Sequence, residues 1–398
     1  MLDALAPGFQ PFIVPLDELR KRQTTKWSRY GADILPAFIA EMDFLPPEAV
    51  QTAIMEIVGR QDYGYPRLPA IGDAPLLSKA FSARMSKLYG WEPDPALAVP
   101  VSDLVQTIYA CVAAFTESGD PVILQDPIYG PIRASIRTQE RTQFEIAMKH
   151  DGRGPVHGWE ELAKTLPRKA RLFFLCHPHN PTGHAATREE LHAVADFCIA
   201  NDLIVVADEI HAELMHDGRM HVPLGSLGPE IAKRTITISS ATKSFNIAGL
   251  RVGIMHFGSA ALKEAFATRI PIQAMGAVNA LGAAATLAAW THGEAWLQSV
   301  KEQLHFARDR VRDVLAAELP GVTATRPDAG YLSWMDFSAL GFALPAQAVL
   351  LEKARVATSA GEEFSPRCTQ FARLNFATSP EILEDILGRI VEACRLHA

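Results

Sequence analysis

The sequence predicts an α/β protein in which a largely parallel sheet lies between helices and a smaller α+β domain follows. Three observations carry this. Between about Pro46 and Trp290, short apolar runs alternate with helical patterns, which is how parallel strands joined by crossover helices read. After Trp290 the alternation stops, and a long amphipathic helix leads into short strands and further helices. At 398 residues the chain is also too long for one ordinary core. These changes divide it into an arm (1–45), a large domain (46–290) and a small C-terminal domain (291–398).

Taken in order, the arm has no sheet pattern of its own. Leu104 to Phe115 reads as a helix, with Leu104, Ile108, Cys111, Val112 and Phe115 on one stripe. Pro121–Gln125, Arg171–Cys176, Leu203–Ala207, Thr235–Ser239 and Val252–Met255 read as strands. Thr187-Arg188-Glu189-Glu190 has the form of a capping box and opens a helix reaching about Asn201. The apolar stretch from about Ala274 to Trp290 is broken by Asn279 and Thr286 and is rich in small residues, so a closely packed buried helix is expected rather than a membrane span. Beyond it come a helix over about Glu294–Leu319, short strands at Val322–Thr325 and Tyr331–Met335, and a helix near Ala346–Ala354. The strand Phe371–Phe376 and a final helix from about Pro380 complete the order.

Composition excludes several roles. The net charge of −7 is spread in both signs, which gives no electrostatic case for nucleic acid or a membrane surface. The N-terminus carries Asp3 and Pro7 where a signal peptide needs a basic and then an apolar run. The five cysteines form no Cys-x-x-Cys pair, and Cys111, Cys176 and Cys198 fall in apolar patterns, so buried thiols in a cytoplasmic protein are expected. No internal repeat or low-complexity segment is evident.

Three motifs carry chemistry. Ser240-Ala241-Thr242-Lys243 precedes Arg251, a spacing that can give a lysine for a Schiff base with pyridoxal phosphate (PLP) and hydroxyls plus a guanidinium for its phosphate. Asn180-Pro181-Thr182-Gly183 and Asp208-Glu209-Ile210-His211 each follow an apolar strand pattern, at the end where open α/β sheets bind ligands. Asp208 can keep a pyridine nitrogen protonated, and the Asn180 amide can donate to the ring's 3-oxygen. Ile210, two positions on, is expected to share a strand face with Asp208 and press on the ring. The phosphate is expected at the helix start Ser102-Asp103-Leu104-Val105, with Asp103 capping the helix and the amides facing the anion. Taken singly, these motifs read as a turn, a polar strand end and a surface lysine; their order and spacing argue for the joint reading. The histidines at 211, 216 and 221 and at 177, 179 and 184 match no zinc spacing, and no metal is expected.

The three motifs together resemble the fold-type I, aspartate-aminotransferase-like PLP enzymes of the class I/II aminotransferase superfamily. Ala40-Glu41-Met42-Asp43-Phe44, Asp208-Glu209-Ile210-His211 and Lys243-Ser244-Phe245-Asn246-Ile247 are similar to the MalY/PatB group of carbon–sulfur β-lyases. Lys26-Trp27-Ser28-Arg29-Tyr30-Gly31 and Arg373-Leu374-Asn375-Phe376-Ala377-Thr378 resemble the actinobacterial cysteine-S-conjugate lyases of that group. The resemblance implies a seven-stranded sheet, an arm packed on the small domain, and a homodimer with shared active sites. It also implies Tyr129 stacked on the cofactor, His211 near the 3-oxygen, Arg373 on the substrate carboxylate, and Tyr65 reaching the neighbouring subunit's phosphate. At the helix start the chain departs from the family's commoner loop, where Asp103 stands beside the expected phosphate. The implied activity is PLP-dependent cleavage of a cysteine thioether such as cystathionine to thiol, pyruvate and ammonia. An aminotransferase on the same scaffold and a regulatory binding protein with residual lyase activity are the alternatives.

Overall fold

The structure is a computed structural model describing residues 12–66 and 74–397; residues 1–11 of the expected arm lie outside that range. Its strands are β1 (Leu35–Pro36), β2 (Ala98–Val101), β3 (Pro121–Asp126), β4 (Thr142–Ala147), β5 (Leu172–Cys176), β6 (Ile204–Asp208), β7 (Thr235–Ser239) and β8 (Gly253–Phe257). The second half adds β9 (Thr323–Ala324), β10 (Leu332–Asp336), β11 (Val356–Ala357), β12 (Ser359–Ala360) and β13 (Phe371–Asn375).

A seven-stranded sheet in the order β2-β8-β7-β6-β5-β3-β4 organises the large domain. Every neighbouring pair is parallel except those made by β8, which runs antiparallel to β7 and β2. Strands inside it are buried on both faces, so they read as continuous apolar runs. Alternate side chains feed separate cores: Phe174 and Val206 pack on one side, Phe173 and Val205 on the other. Each core is closed by helices, among them Leu104–Phe115 on the first side and Arg188–Ala200 on the second. The expected capping box is present, with Thr187 Oγ1 accepting from Glu190 N and Glu190 Oε2 accepting from Thr187 N.

The apolar stretch expected as one buried helix divides in two. A 3-10 turn covers Ile272–Met275, and the helix starts only at Ala280, where Asn279 Oδ1 accepts from Gly282 N at 2.7 Å. Asn279 is thus a cap that ends the preceding loop. One face of that helix is buried, through Gly282, Ala285, Thr286, Ala289 and Trp290. Among the described residues no helix is long and apolar enough to cross a membrane.

The C-terminal part is a four-stranded antiparallel sheet, β12-β13-β10-β9, packed with the helices Glu294–Glu318 and Pro380–His397. The arm does form sheet: β1 pairs in parallel with β11. Its inner end is fastened twice. Asn375 Nδ2 donates to Ile39 O and Glu41 O (2.9 and 2.6 Å), while Asn246 bonds Met42 N, Met42 O and Phe44 O. These clamps hold Ile39, a β-branched residue, at φ 30°, a backbone region such residues enter only under constraint. Buried beneath, Asp43 takes Lys26 Nζ at 2.8 Å and Trp27 Nε1 at 2.7 Å. The 40–44 motif is thereby tied to the segments carrying Lys243 and Arg373. Cys111, Cys176 and Cys198 are buried and all five cysteines are free.

Candidate active site

At the C-terminal ends of β5 and β6, beside the start of β8, lies a cleft of about 820 Å³. It gathers Asp103, Leu104, Val105, Tyr129, Asn180, Asp208, Ile210, His211, Thr242, Lys243, Arg251 and Arg373 from the expected set. Ser240 and Tyr65 are not in its wall. Ser240 caps the Ala241–Ser244 turn, accepting from Thr242 N and donating to Val252 O, so its hydroxyl is used to fix the backbone under Thr242 and Lys243. Tyr65 is fully exposed.

Lys243 Nζ donates to Ala40 O at 2.9 Å, an acceptor it shares with Tyr331 Oη at 3.0 Å. Burial lowers the lysine pKa to about 8, with the nearby Arg373 charge acting in the same direction and Glu41 opposing. Such an amine can be neutral, and hence a base, near physiological pH. Asp208 ends β6 and is buried, and its carboxylate accepts from Ile210 N at 3.3 Å. Its pKa is raised to about 6 by burial. The strand stops at Asp208, so Ile210 reaches the cleft from the following turn rather than along a shared strand face; the Ile210 N to Asp208 bond shapes that turn.

Arg373 and Asn180 act as a pair. Arg373 Nη1 donates to Asn180 Oδ1 at 2.8 Å, and Nη2 to Ser359 Oγ at 3.1 Å. Arginine has no acceptor, so the Asn180 oxygen must face it and the amide NH₂ is left to donate elsewhere. The guanidinium also lies 4.7 Å over the Phe364 ring, and its Nε is buried with no partner. Ser359, Phe364 and Tyr331 were not singled out from sequence, and Ala40 only as part of the 40–44 motif. Ser359 meets Arg373 across the β12–β13 pair, and Ala40 meets Lys243 through the packing of the arm.

Asp103 caps its helix as expected, accepting from Gln106 N at 3.1 Å, and its other oxygen meets Arg251 Nη2 at 2.5 Å. This pair places the guanidinium beside the helix start, where amides favour an anion. Tyr129, whose pKa burial pushes up to about 12, and Ile210 line the cleft between these two ends. His211 is buried and held neutral, its pKa lowered to about 3 by burial and by the Lys243 and Arg373 charges; its Nδ1 has no partner. The other histidines serve the fold. His179 bonds Thr182 Oγ1 and Pro127 O, His184 lies between Asp328 and Glu190, and His177 stacks on His221.

The donor set fits PLP. A buried carboxylate with no ion pair among the described residues faces a cleft that also offers an oriented amide donor, a basic lysine, apolar and aromatic walls, and an anion cradle at a helix start. The Asp208 environment also sets a stability expectation. Its folded pKa exceeds that of an unfolded Asp, so its ionisation disfavours the cofactor-free fold as pH rises from about 4 through 6. Asp208→Asn should stabilise the cofactor-free protein by about 1–3 kcal/mol above pH 6, and the gain should vanish below about pH 4. Denaturant melts across that pH range check it; a gain equal at all pH values would refute the cause.

The profile of the family described as aminotransferase class I and II matches residues 41–390. Over 378 residues the chain is 31% identical to cystathionine beta-lyase PatB of Bacillus subtilis, covering 93% of this chain and 96% of that one. It is 32% identical to a cystathionine beta-lyase of Corynebacterium glutamicum, with 94% and 98% covered. Among solved structures, the PLP-bound C-S lyase from Staphylococcus hominis superposes with a TM-score of 0.86 at 26% identity, covering 96% of this chain and 99% of that one.

Proposed function

The chain belongs to the class I and II aminotransferase family, and from that premise we propose that it is a PLP-dependent carbon–sulfur β-lyase. The observation that carries the reading is the convergence of Lys243, Asp208 and the Arg373–Asn180 pair on one cleft. Relatives named cystathionine beta-lyase, matched along nearly their whole length, favour elimination over transamination.

In this reading Asp208 pairs with the cofactor's ring nitrogen, the Asn180 NH₂ donates to its 3-oxygen, and Tyr129 and Ile210 flank the ring. His211 would stand on the 3-oxygen side of a bound ring. Thr242, Arg251 and the amides of Leu104 and Val105 take the phosphate. When bound, PLP supplies an electron sink that stabilises negative charge at the substrate's α-carbon. Arg373 grips the substrate carboxylate through its planar fork, which fixes which α-bond is broken. Lys243 Nζ takes the α-proton, and the electron pair left behind expels the thiolate from the β-carbon. Hydrolysis of the remaining enamine gives pyruvate and ammonia.

Incubation with L-cystathionine should release pyruvate and a thiol together with no oxo acid present. Amino-acid product formed only with an added oxo acid makes the protein an aminotransferase instead.

The active unit in this proposal is a homodimer in which Tyr65 serves the neighbouring copy's phosphate. Its full exposure supports this, as does exposed apolar surface at Met55 and Val58, one turn apart on the Glu48–Arg60 helix. Sedimentation at micromolar concentration should find a dimer. An active monomer would sink the shared site.

A further inference from the structure

The cleft holds charges that neither the cofactor nor an α-amino acid head group uses. Asp103 and Arg251 pair with each other, Asp208 and Lys243 serve the reaction, and Arg373 faces the carboxylate. Arg29, Glu41 and Glu363 remain in the wall.

Arg29 is placed by the arm. On the short helix Thr25–Ser28, Lys26 and Trp27 are fastened inward to Asp43. Thr25 and Arg29, four residues apart and so one turn along the helix path, both line the cleft. The Arg29 guanidinium lies 5.6 Å from the Phe38 ring centre and 5.7 Å from that of Tyr30, and these rings meet edge to face at 5.4 Å. No carboxylate pairs with it among the described residues. It is therefore a cation packed beside two rings in the cleft wall. Glu41 stands in the same wall and acts on Lys243 by charge.

We infer that Arg29 selects substrates whose sulfur substituent carries a carboxylate, in particular one that is itself an amino acid. The inference rests on the lyase reading and names its substrate class. A planar guanidinium suits a distal carboxylate. Glu41 and Glu363, which act by charge on Lys243 and Arg373, make the cleft more negative, so a purely anionic substituent is disfavoured there relative to a zwitterionic one. The arm motif around Lys26–Tyr30, which the reaction itself does not use, thereby acquires a role in recognition.

The test compares L-cystathionine, with its zwitterionic distal end, and S-ethyl-L-cysteine, with a neutral one. In Arg29→Gln the ratio of kcat/KM for cystathionine over S-ethylcysteine should fall about tenfold or more, mainly through KM for cystathionine. Arg29→Lys, which keeps charge but loses the fork, should fall between. An unchanged ratio in Arg29→Gln, including an equal loss on both substrates, overturns the inference. If the wild-type protein releases pyruvate from neither thioether, the lyase reading itself fails, and that is seen before any variant is compared.

Discussion

Lys243→Ala loses turnover by at least about a thousandfold, and borohydride reduction of the wild-type protein leaves a pyridoxyl label on the Lys243 peptide and no other. The size follows from the lack of a substitute. Within the cleft wall His211 is held neutral with a pKa of about 3, far too weak a base to take an α-proton, and behind it Tyr331 Oη is spent on Ala40 O. Lys243 is the group whose pKa burial brings to about 8. It is aimed by the Ala40 carbonyl, which Asn375 and Asn246 fix through the arm on either side. Added methylamine should restore part of the lost rate, because a small amine can occupy the vacated space as a free base. A label on another lysine, or a variant that keeps more than a tenth of its rate, would remove Lys243 from the mechanism.

What could be read from sequence follows burial. Strands β5, β6 and β7 were legible because both faces are covered, so Leu172–Cys176 and Ile204–Ala207 are unbroken apolar runs. Within the seven-stranded sheet, the two strands missed are its two edges. β2 is four residues long and contains Pro100, which an edge tolerates because one side of the strand needs no partner. β4 alternates Thr142, Gln143, Phe144, Glu145 and is mostly not buried, so it carries little apolar signal. In the site, motif residues at strand ends were legible because local sequence puts them there. Ser359 under Arg373 and Ala40 O under Lys243 were not, since each depends on segments more than a dozen or two hundred residues apart meeting in space. Ser240 carries a role that its spacing did not show. Its hydroxyl bonds Val252 O and accepts from Thr242 N, which fixes the backbone under Lys243.

Arg373→Ala keeps PLP bound but loses about 2–5 kcal/mol in kcat/KM, a loss of some thirtyfold or more. Retention of the cofactor is expected because Asp208, Thr242 and Arg251 do not lean on Arg373 for their positions. The loss is large because the guanidinium is buried, its pKa lowered to about 10 by that burial, and so it presents a desolvated charge to the incoming carboxylate. Without it the substrate can rotate about its anchoring bond, and the α-proton need no longer face Lys243. A second consequence distinguishes this site from a plain carboxylate clamp. Asn180 Oδ1 loses the Arg373 donor that orients it, so the amide can flip and its NH₂ turn away from the 3-oxygen side. The cofactor's absorbance band should therefore shift in Arg373→Ala, whereas Ser359→Ala, which removes a partner of Nη2 alone, should lower kcat/KM by less and leave the band in place. Loss of PLP from Arg373→Ala would place the arginine in the cofactor cradle, and an undiminished kcat/KM would remove it from substrate binding.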